Sequence, residues 1–203
     1  MAKLKVYGYA KSRTLRTLWM LEELGVSYEH VDVDSSIGGT RTPEFLKINP
    51  AGHIPAIDDD GFRLSESMAI NFCLAKKHGK LYPASLQGEA KALQWSFWAA
   101  HELDRQVVQW FVHTSILPIE QRNAKLALAA REEIEWPLQV LNGELGKQQY
   151  LADPNAFTVA DLNVASILYR LLFVDLRDKP HLDKWLRHCW DRPAAKRARA
   201  MRE

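Results

Sequence analysis

A chain of 203 residues with 47% hydrophobic and 26% charged side chains has the composition of a folded globular protein, long enough for one large domain or two compact ones. Its 27 basic side chains face 25 acidic ones, so the formal charge of +2 makes no case for a nucleic-acid partner. Two cysteines, Cys73 and Cys189, without CxxC spacing argue against both a disulfide framework and a thiolate metal site.

The amino terminus runs from a short apolar stretch straight into charged, helix-like sequence without a signal-peptide core. No uninterrupted apolar span approaches membrane length. These features predict a cytoplasmic protein with no membrane partner.

In chain order, the alternation of Leu4 and Val6, continuing to Gly8, predicts a first strand within residues 3–9. Thr14 to Leu24 then places Leu15, Leu18, Trp19, Leu21 and Leu24 on one face of a helix that stops before Gly25. A second strand is centred on Tyr28 to Val33, and its connection through a helix is what a parallel βαβ unit requires. The turn-rich stretch that follows predicts an irregular crossover with at most short helices.

Ile54 to Ile57 and Phe62 to Leu64 flank an Asp- and Gly-rich turn and predict an antiparallel hairpin. Ser65-Glu66-Ser67 opens the next helix. The order βαβ then ββα suits a thioredoxin-like domain over residues 1–80, with a Pro- and Gly-bearing linker at 81–88.

Residues 89–203 read as an all-helical bundle. Apolar rows predict helices over about 89–113 and 120–143, the second kinked by Pro137. Thr158 to Val174 predicts a buried helix, with Thr158 and Asp161 at capping-box spacing and Phe157 and Leu162 placed as a hydrophobic staple. A further helix spans about 180–190, and Pro193 begins a last, basic segment carrying Arg192, Lys196, Arg197, Arg199 and Arg202, which reads as a solvated structural tail.

Several residues carry chemistry on their own account. Glu66 and Ser67 stand where a helix N-terminus offers unpaired amides to a carboxylate, although SES is also an ordinary capping sequence. Ser12 lies between the first strand and the first helix, where its hydroxyl suits either an N-cap or thiolate stabilisation. The chain has no phosphate-cradling GxGxxG, no HExxH and no compact Cys and His set, so no metal site is expected.

Three blocks, YGYAKSRTLRTLWMLEELG, NPAGHIPAIDDDGFRLSESMAI and FTVAD, resemble the cytosolic glutathione transferases in order and separation, across essentially the whole chain. The resemblance implies a bacterial-type, serine-using member of that superfamily, acting in detoxification with glutathione as a consumed cosubstrate and no tightly bound cofactor. It implies a cis peptide before Pro55, backbone pairing of Ile54 with the cysteinyl unit of glutathione, and contact of His53 with the glycyl end. A lone histidine is otherwise a loop or packing residue.

By the same resemblance Glu66 and Ser67 hold the γ-glutamyl end, Ser12 donates to the sulfur, and Arg16 is the helical arginine that follows the active serine. Tyr7 and Tyr9 keep open a tyrosine-based activation. The acceptor pocket would draw on the Tyr9 to Arg13 loop and on His101, Asp104, Arg105, Val108, Phe111 and Val112, whereas Trp95, Trp98 and Trp110 read as packing residues. The AKSRT loop lacks the cysteine of a dithiol cycle, and Cys73 and Cys189 read as structural. The implied partners are glutathione, a small electrophile and a second copy in a homodimer. Peroxide reduction is a possible accompanying activity, and the alternative is a non-enzymatic glutathione-binding or interaction module.

Overall fold

The computed structural model describes residues 4–202, which form two compact units. One unit runs to Tyr82 and takes back the chain from Asp191 onward; the other spans Pro83–Trp190. In the sequence reading everything from 89 to 203 belonged to one helical domain, so the last helix is placed differently here.

The first unit is built on a four-stranded sheet in the order β2-β1-β3-β4, with β1 (Leu4–Tyr7), β2 (Glu29–Val31), β3 (Ala56–Asp59) and β4 (Phe62–Ser65). β1 runs parallel to β2 and antiparallel to β3. Val6 stands opposite Ile57 in that register, and both are fully buried. Side chains alternate across a strand, so Leu4 and Val6 share one face while Lys5 and Tyr7 share the other. The strand after Pro55 begins at Ala56 rather than Ile54, since proline has no N–H to give to a ladder.

Helix α1 (Thr14–Leu24) has the limits its apolar spacing predicted and ends at Gly25, whose left-handed backbone lets its N–H reach the Leu21 carbonyl at 3.0 Å. Leu18, Trp19 and Leu21 are fully buried. The crossover contains α2 (Pro43–Ile48), started by the Thr42 hydroxyl accepting from the Phe45 N–H. α3 (Ser67–His78) packs against α1.

The basic tail is a structural element of this unit. It forms α10 (Pro193–Ala200), which lies along α1, and Arg192 makes a two-pronged pair with Glu23 at 2.7 and 2.8 Å while Arg197 reaches Glu22 at 2.6 Å. Such fork-to-fork geometry fixes direction as well as charge.

In the second unit α4 (Leu86–Ala99) starts inside the stretch read as linker, because the Ser85 hydroxyl caps it by accepting from the Gly88 N–H. It continues through a π-helical turn, Ala100–Asp104, into α5 (Arg105–Phe111) and a second π turn, Val112–Ile116. The next helical stretch is broken, not merely kinked, into α6 (Ala124–Glu133) and α7 (Glu135–Leu145). Pro137 has no N–H for the Glu133 carbonyl and its ring crowds that group, so the break falls one turn before the proline. The buried Lys179 ammonium pairs with Glu135 and Asp178, and the bond from Lys179 is the main reason the Glu135 carboxyl is held down at about 2.

Helix α8 (Val159–Ile167) is buried along its whole length and packs against α4. The Trp190 indole donates to the Ala165 carbonyl near the end of α8 at 3.0 Å, and beyond that helix the chain tightens into a 3-10 segment, Leu168–Phe173. α9 (Pro180–Asp191) follows. No helix among the described residues is long and apolar enough to cross a membrane.

The capping box is present as the spacing predicted. The Thr158 hydroxyl accepts from the Ala160 N–H at 3.2 Å and Asp161 accepts from the Thr158 N–H at 3.0 Å. Asp161 also accepts from the Leu151 N–H at 2.9 Å and the Trp185 indole at 3.1 Å, so one carboxylate ties together the loop, the cap and α9. Burial pushes this carboxyl up to about 6, against the pull of those donors. Thr158→Ala should cost about 1 kcal/mol in urea unfolding. Asp161→Ala should cost about 3 kcal/mol, since buried donors at Leu151 and Trp185 lose their acceptor.

Candidate functional site

The junction between β1 and α1 is closely packed around Gly8. Gly8 has φ of +135°, and a methyl group added there would lie 2.1 Å from the Thr14 hydroxyl oxygen and 3.0 Å from the Ile54 Cβ. Only glycine accepts both that backbone and that proximity. Its N–H continues the parallel ladder to the Val31 carbonyl at 3.0 Å. Its own carbonyl accepts from the His30 imidazole, whose Nε2 is 2.6 Å away.

Ser12 lies half-buried in the loop that this junction launches. Its Oγ is 2.7 Å from the Tyr9 carbonyl, 2.9 Å from the Thr14 hydroxyl and 3.1 Å from the Thr14 N–H. A hydroxyl has one proton and two lone pairs. The Tyr9 carbonyl can only accept, so it takes the Ser12 proton, and both Thr14 groups donate to the Ser12 oxygen. The N-cap of α1 is Arg13, which makes no side-chain cap bond, so Ser12 is not the cap; it lies just ahead of the cap, accepts from the Thr14 amide and sets a hydroxyl at the helix N-terminus, where the dipole favours an anion.

The Ile54–Pro55 peptide is cis, the isomer the resemblance implied. Ile54 is half-buried against Gly8, while His53 is exposed and its carbonyl accepts from the Asn49 side chain at 2.7 Å. This second segment therefore meets the Ser12 loop at a defined place.

The third segment is the start of α3. Glu66 is exposed and has φ of 70° and ψ of 108°, a conformation that costs a non-glycine residue of order 1–3 kcal/mol. Ser67 is buried, and the buried Arg16 guanidinium approaches its hydroxyl at 3.5 Å. The Asn71 amide donates to the Arg16 carbonyl at 3.3 Å. The first amides of α3 have no partner within the helix, and Arg16 adds positive charge beneath them. An extended ligand with a carboxylate at one end and a thiol further along fits this chemistry.

The first half of α1 serves two of these segments, with Thr14 bonded to Ser12 and Arg16 beside Ser67, while Gly8 brings Thr14 and Ile54 to the same point. Gly8, His30 and Thr14 were not singled out as site residues by sequence reasoning. The available signal was the glycine directly after an alternating strand, where a tight contact is the usual reason for its presence.

The remaining sequence candidates are described within their own units. Tyr7 packs its ring edge-on to Phe45, with centroids 6.3 Å apart, on the sheet face under α2. Tyr9 is half-buried and contributes its carbonyl to Ser12. In the second unit His101 and Arg105 are exposed, and Asp104, Val108, Phe111 and Val112 are half-buried, along a helix with π turns before and after it. Trp95 is buried against Trp98, and Arg131 stacks over Trp110, which are packing roles. Cys189 is buried and Cys73 half-buried. Among the described residues no group of three or more His, Cys, Asp or Glu is disposed to hold a metal.

Comparison with known proteins places both units in one family. Residues 2–76 match the model of the glutathione S-transferase N-terminal domain and residues 106–193 that of the C-terminal domain. The chain is 32% identical to glutathione S-transferase 4 of Zea mays, covering 94% of this chain and 89% of the relative. It is 30% identical to glutathione S-transferase GstB of Escherichia coli, with 90% of each covered. A theta class glutathione S-transferase from Xanthomonas axonopodis pv. citri, solved with glutathione bound, superposes with a TM-score of 0.90 at 28% identity, covering 98% of this chain and 97% of that one. The chain belongs to the glutathione S-transferase family.

Proposed function

We propose that this enzyme, a glutathione transferase by its family, is a serine-using member in which Ser12 stabilises the glutathione thiolate for attack on a small electrophile. The observation that carries the reading is the Ser12 hydroxyl, polarised by two donors from Thr14 at the N-terminus of α1. Glutathione would lie extended, its γ-glutamyl carboxylate on the amides of α3 with Ser67 and its ammonium at Glu66. Its middle would pair with the backbone of Ile54, and its glycyl end would lie toward His53.

Ser12 acts as a hydrogen-bond donor, not as a base. The thiol proton goes to solvent, and Ser12 exchanges the Tyr9 carbonyl for the sulfur anion as its acceptor. The thiolate then forms an S–C bond as a halide leaves, or adds to an activated alkene whose other carbon takes a proton. The same anion would attack a peroxide oxygen, with a second glutathione closing the redox balance, so peroxidase activity belongs to the same reading. The helical domain would supply the acceptor pocket, and orienting both reactants lowers the entropic cost of their encounter.

A cytoplasmic two-fold homodimer completes the proposal; Phe62, exposed on the edge strand β4, is apolar surface that pairing would cover. The binding-module reading keeps one observation in its favour, because the Ser12 proton already has an acceptor at 2.7 Å.

Two sets of variants separate these readings, assayed with an aryl halide, an activated alkene and an organic hydroperoxide. Ser12→Ala should lower kcat about 10–100-fold, the value of one hydrogen bond to a charged group, with glutathione affinity changed by less than about threefold. Unchanged turnover removes Ser12 from catalysis, and a wild-type protein that binds glutathione without turnover favours the module. Glu66→Gln and Ser67→Ala should instead raise the glutathione KM by roughly tenfold each, with kcat at saturation nearly constant. An unchanged KM would remove the α3 terminus from the binding site.

A further inference from the structure

A cleft of about 490 Å³ lies between the open face of the sheet and α2, within the size range of small-molecule sites. Ser12, His53, Ile54, Glu66 and Ser67 are all absent from its lining. Its walls are apolar: Val31 and Tyr7 from the sheet, Phe45 and Ile48 from α2. The cleft exists because Tyr7 points to the face opposite the packed Leu4 and Val6, and α2 is only six residues long and does not cover that face. Ile37 stands at the mouth with 83% of its surface in water, an aliphatic side chain with nothing laid against it.

The polar part of the lining has one sign. Asp32, Asp34 and Glu44 contribute carboxylates, and no Lys, Arg or His lines the cleft. Bonds from the Ser36 side chain and amide hold the Asp34 carboxyl below the usual carboxylate range, so its charge persists at any physiological pH. Lys5, the basic residue of β1 that shares the Tyr7 face, is already paired with Glu29 at 3.1 Å. Apolar walls with an acidic rim are complementary to a molecule with a hydrocarbon body and a cationic head.

We propose that this cleft binds a small amphiphilic ammonium, its hydrocarbon part against Val31, Phe45 and Ile48 and its cationic head beside Asp32, Asp34 and Glu44. The site is separate from the thiol site and does not depend on the role of Ser12. An anionic amphiphile of equal length would meet the same walls but a repulsive rim, so charge and not length sets the preference.

The test is calorimetric titration of the full-length protein with decyltrimethylammonium below its micelle concentration, with decanesulfonate as the length-matched anion, each with and without saturating glutathione. One saturable site is expected, about tenfold or more selective for the ammonium and unaffected by glutathione. Asp32→Asn, Asp34→Asn and Glu44→Gln combined should erase that selectivity. Ile48→Arg should abolish ammonium binding by placing a cation in the cleft, and Val33→Arg serves as a second plug should the first fail to melt like wild type. Equal binding of the two amphiphiles, displacement by glutathione, or wild-type binding by the folded plug variants would each overturn the proposal.

Discussion

The absence of a side chain at Gly8 is the constraint on which the junction of β1, the start of α1 and Ile54 depends. The end of β1 passes so close to the start of α1 that Thr14 occupies the space of a Cβ, and Ile54 closes in from the other side. The turn from Gly8 to Thr14 and the sequence-distant Ile54 are thereby held within contact distance. Close packing of this kind transmits small displacements, so a methyl group at Gly8 would move Thr14 and with it the donors that hold the Ser12 oxygen. The His30 bond to the Gly8 carbonyl ties the same junction to β2.

α1 extends that order in two directions. At its start Thr14 and Arg16 face the Ser12 loop and the head of α3. At its end Glu22 receives Arg197 of α10 and Glu23 receives Arg192 just before it, which brings the carboxyl-terminal segment into the first unit. One helix thus carries the Ser12 loop at its N-terminus and a carboxylate anchor at its C-terminal end, with Leu18, Trp19 and Leu21 as its core face. Two basic residues of the terminal segment, Arg192 and Arg197, serve this anchorage.

Local rules made much of this readable. The limits of α1, the Thr158 and Asp161 box and the β3-β4 hairpin follow from period, caps and turn residues acting over a few positions. What sequence alone missed depends on contacts between distant residues. Gly8 was read as part of the strand face because its steric partners, Thr14 and Ile54, are close only after folding. The return of α10 rests on pairs separated by about 170 residues along the chain, Arg192 with Glu23 and Arg197 with Glu22. The π turns beside α5 leave the apolar rows unchanged, and the cleft under α2 arises from what α2 fails to cover, which no run of residues announces. Of the candidate site, residue types at helix starts were legible and the geometry that joins them was not.

The central claim is that Ser12, held by Thr14, stabilises the sulfur anion. The most direct test is an ultraviolet titration of the thiolate of glutathione bound to wild type, Ser12→Ala and Thr14→Val. The account predicts a bound thiol titrating about 2 units below free glutathione in wild type, with about half or more of that shift lost in Ser12→Ala and a smaller part in Thr14→Val. A thiol shift of full size in the Ser12→Ala protein, with glutathione demonstrably bound, would contradict it.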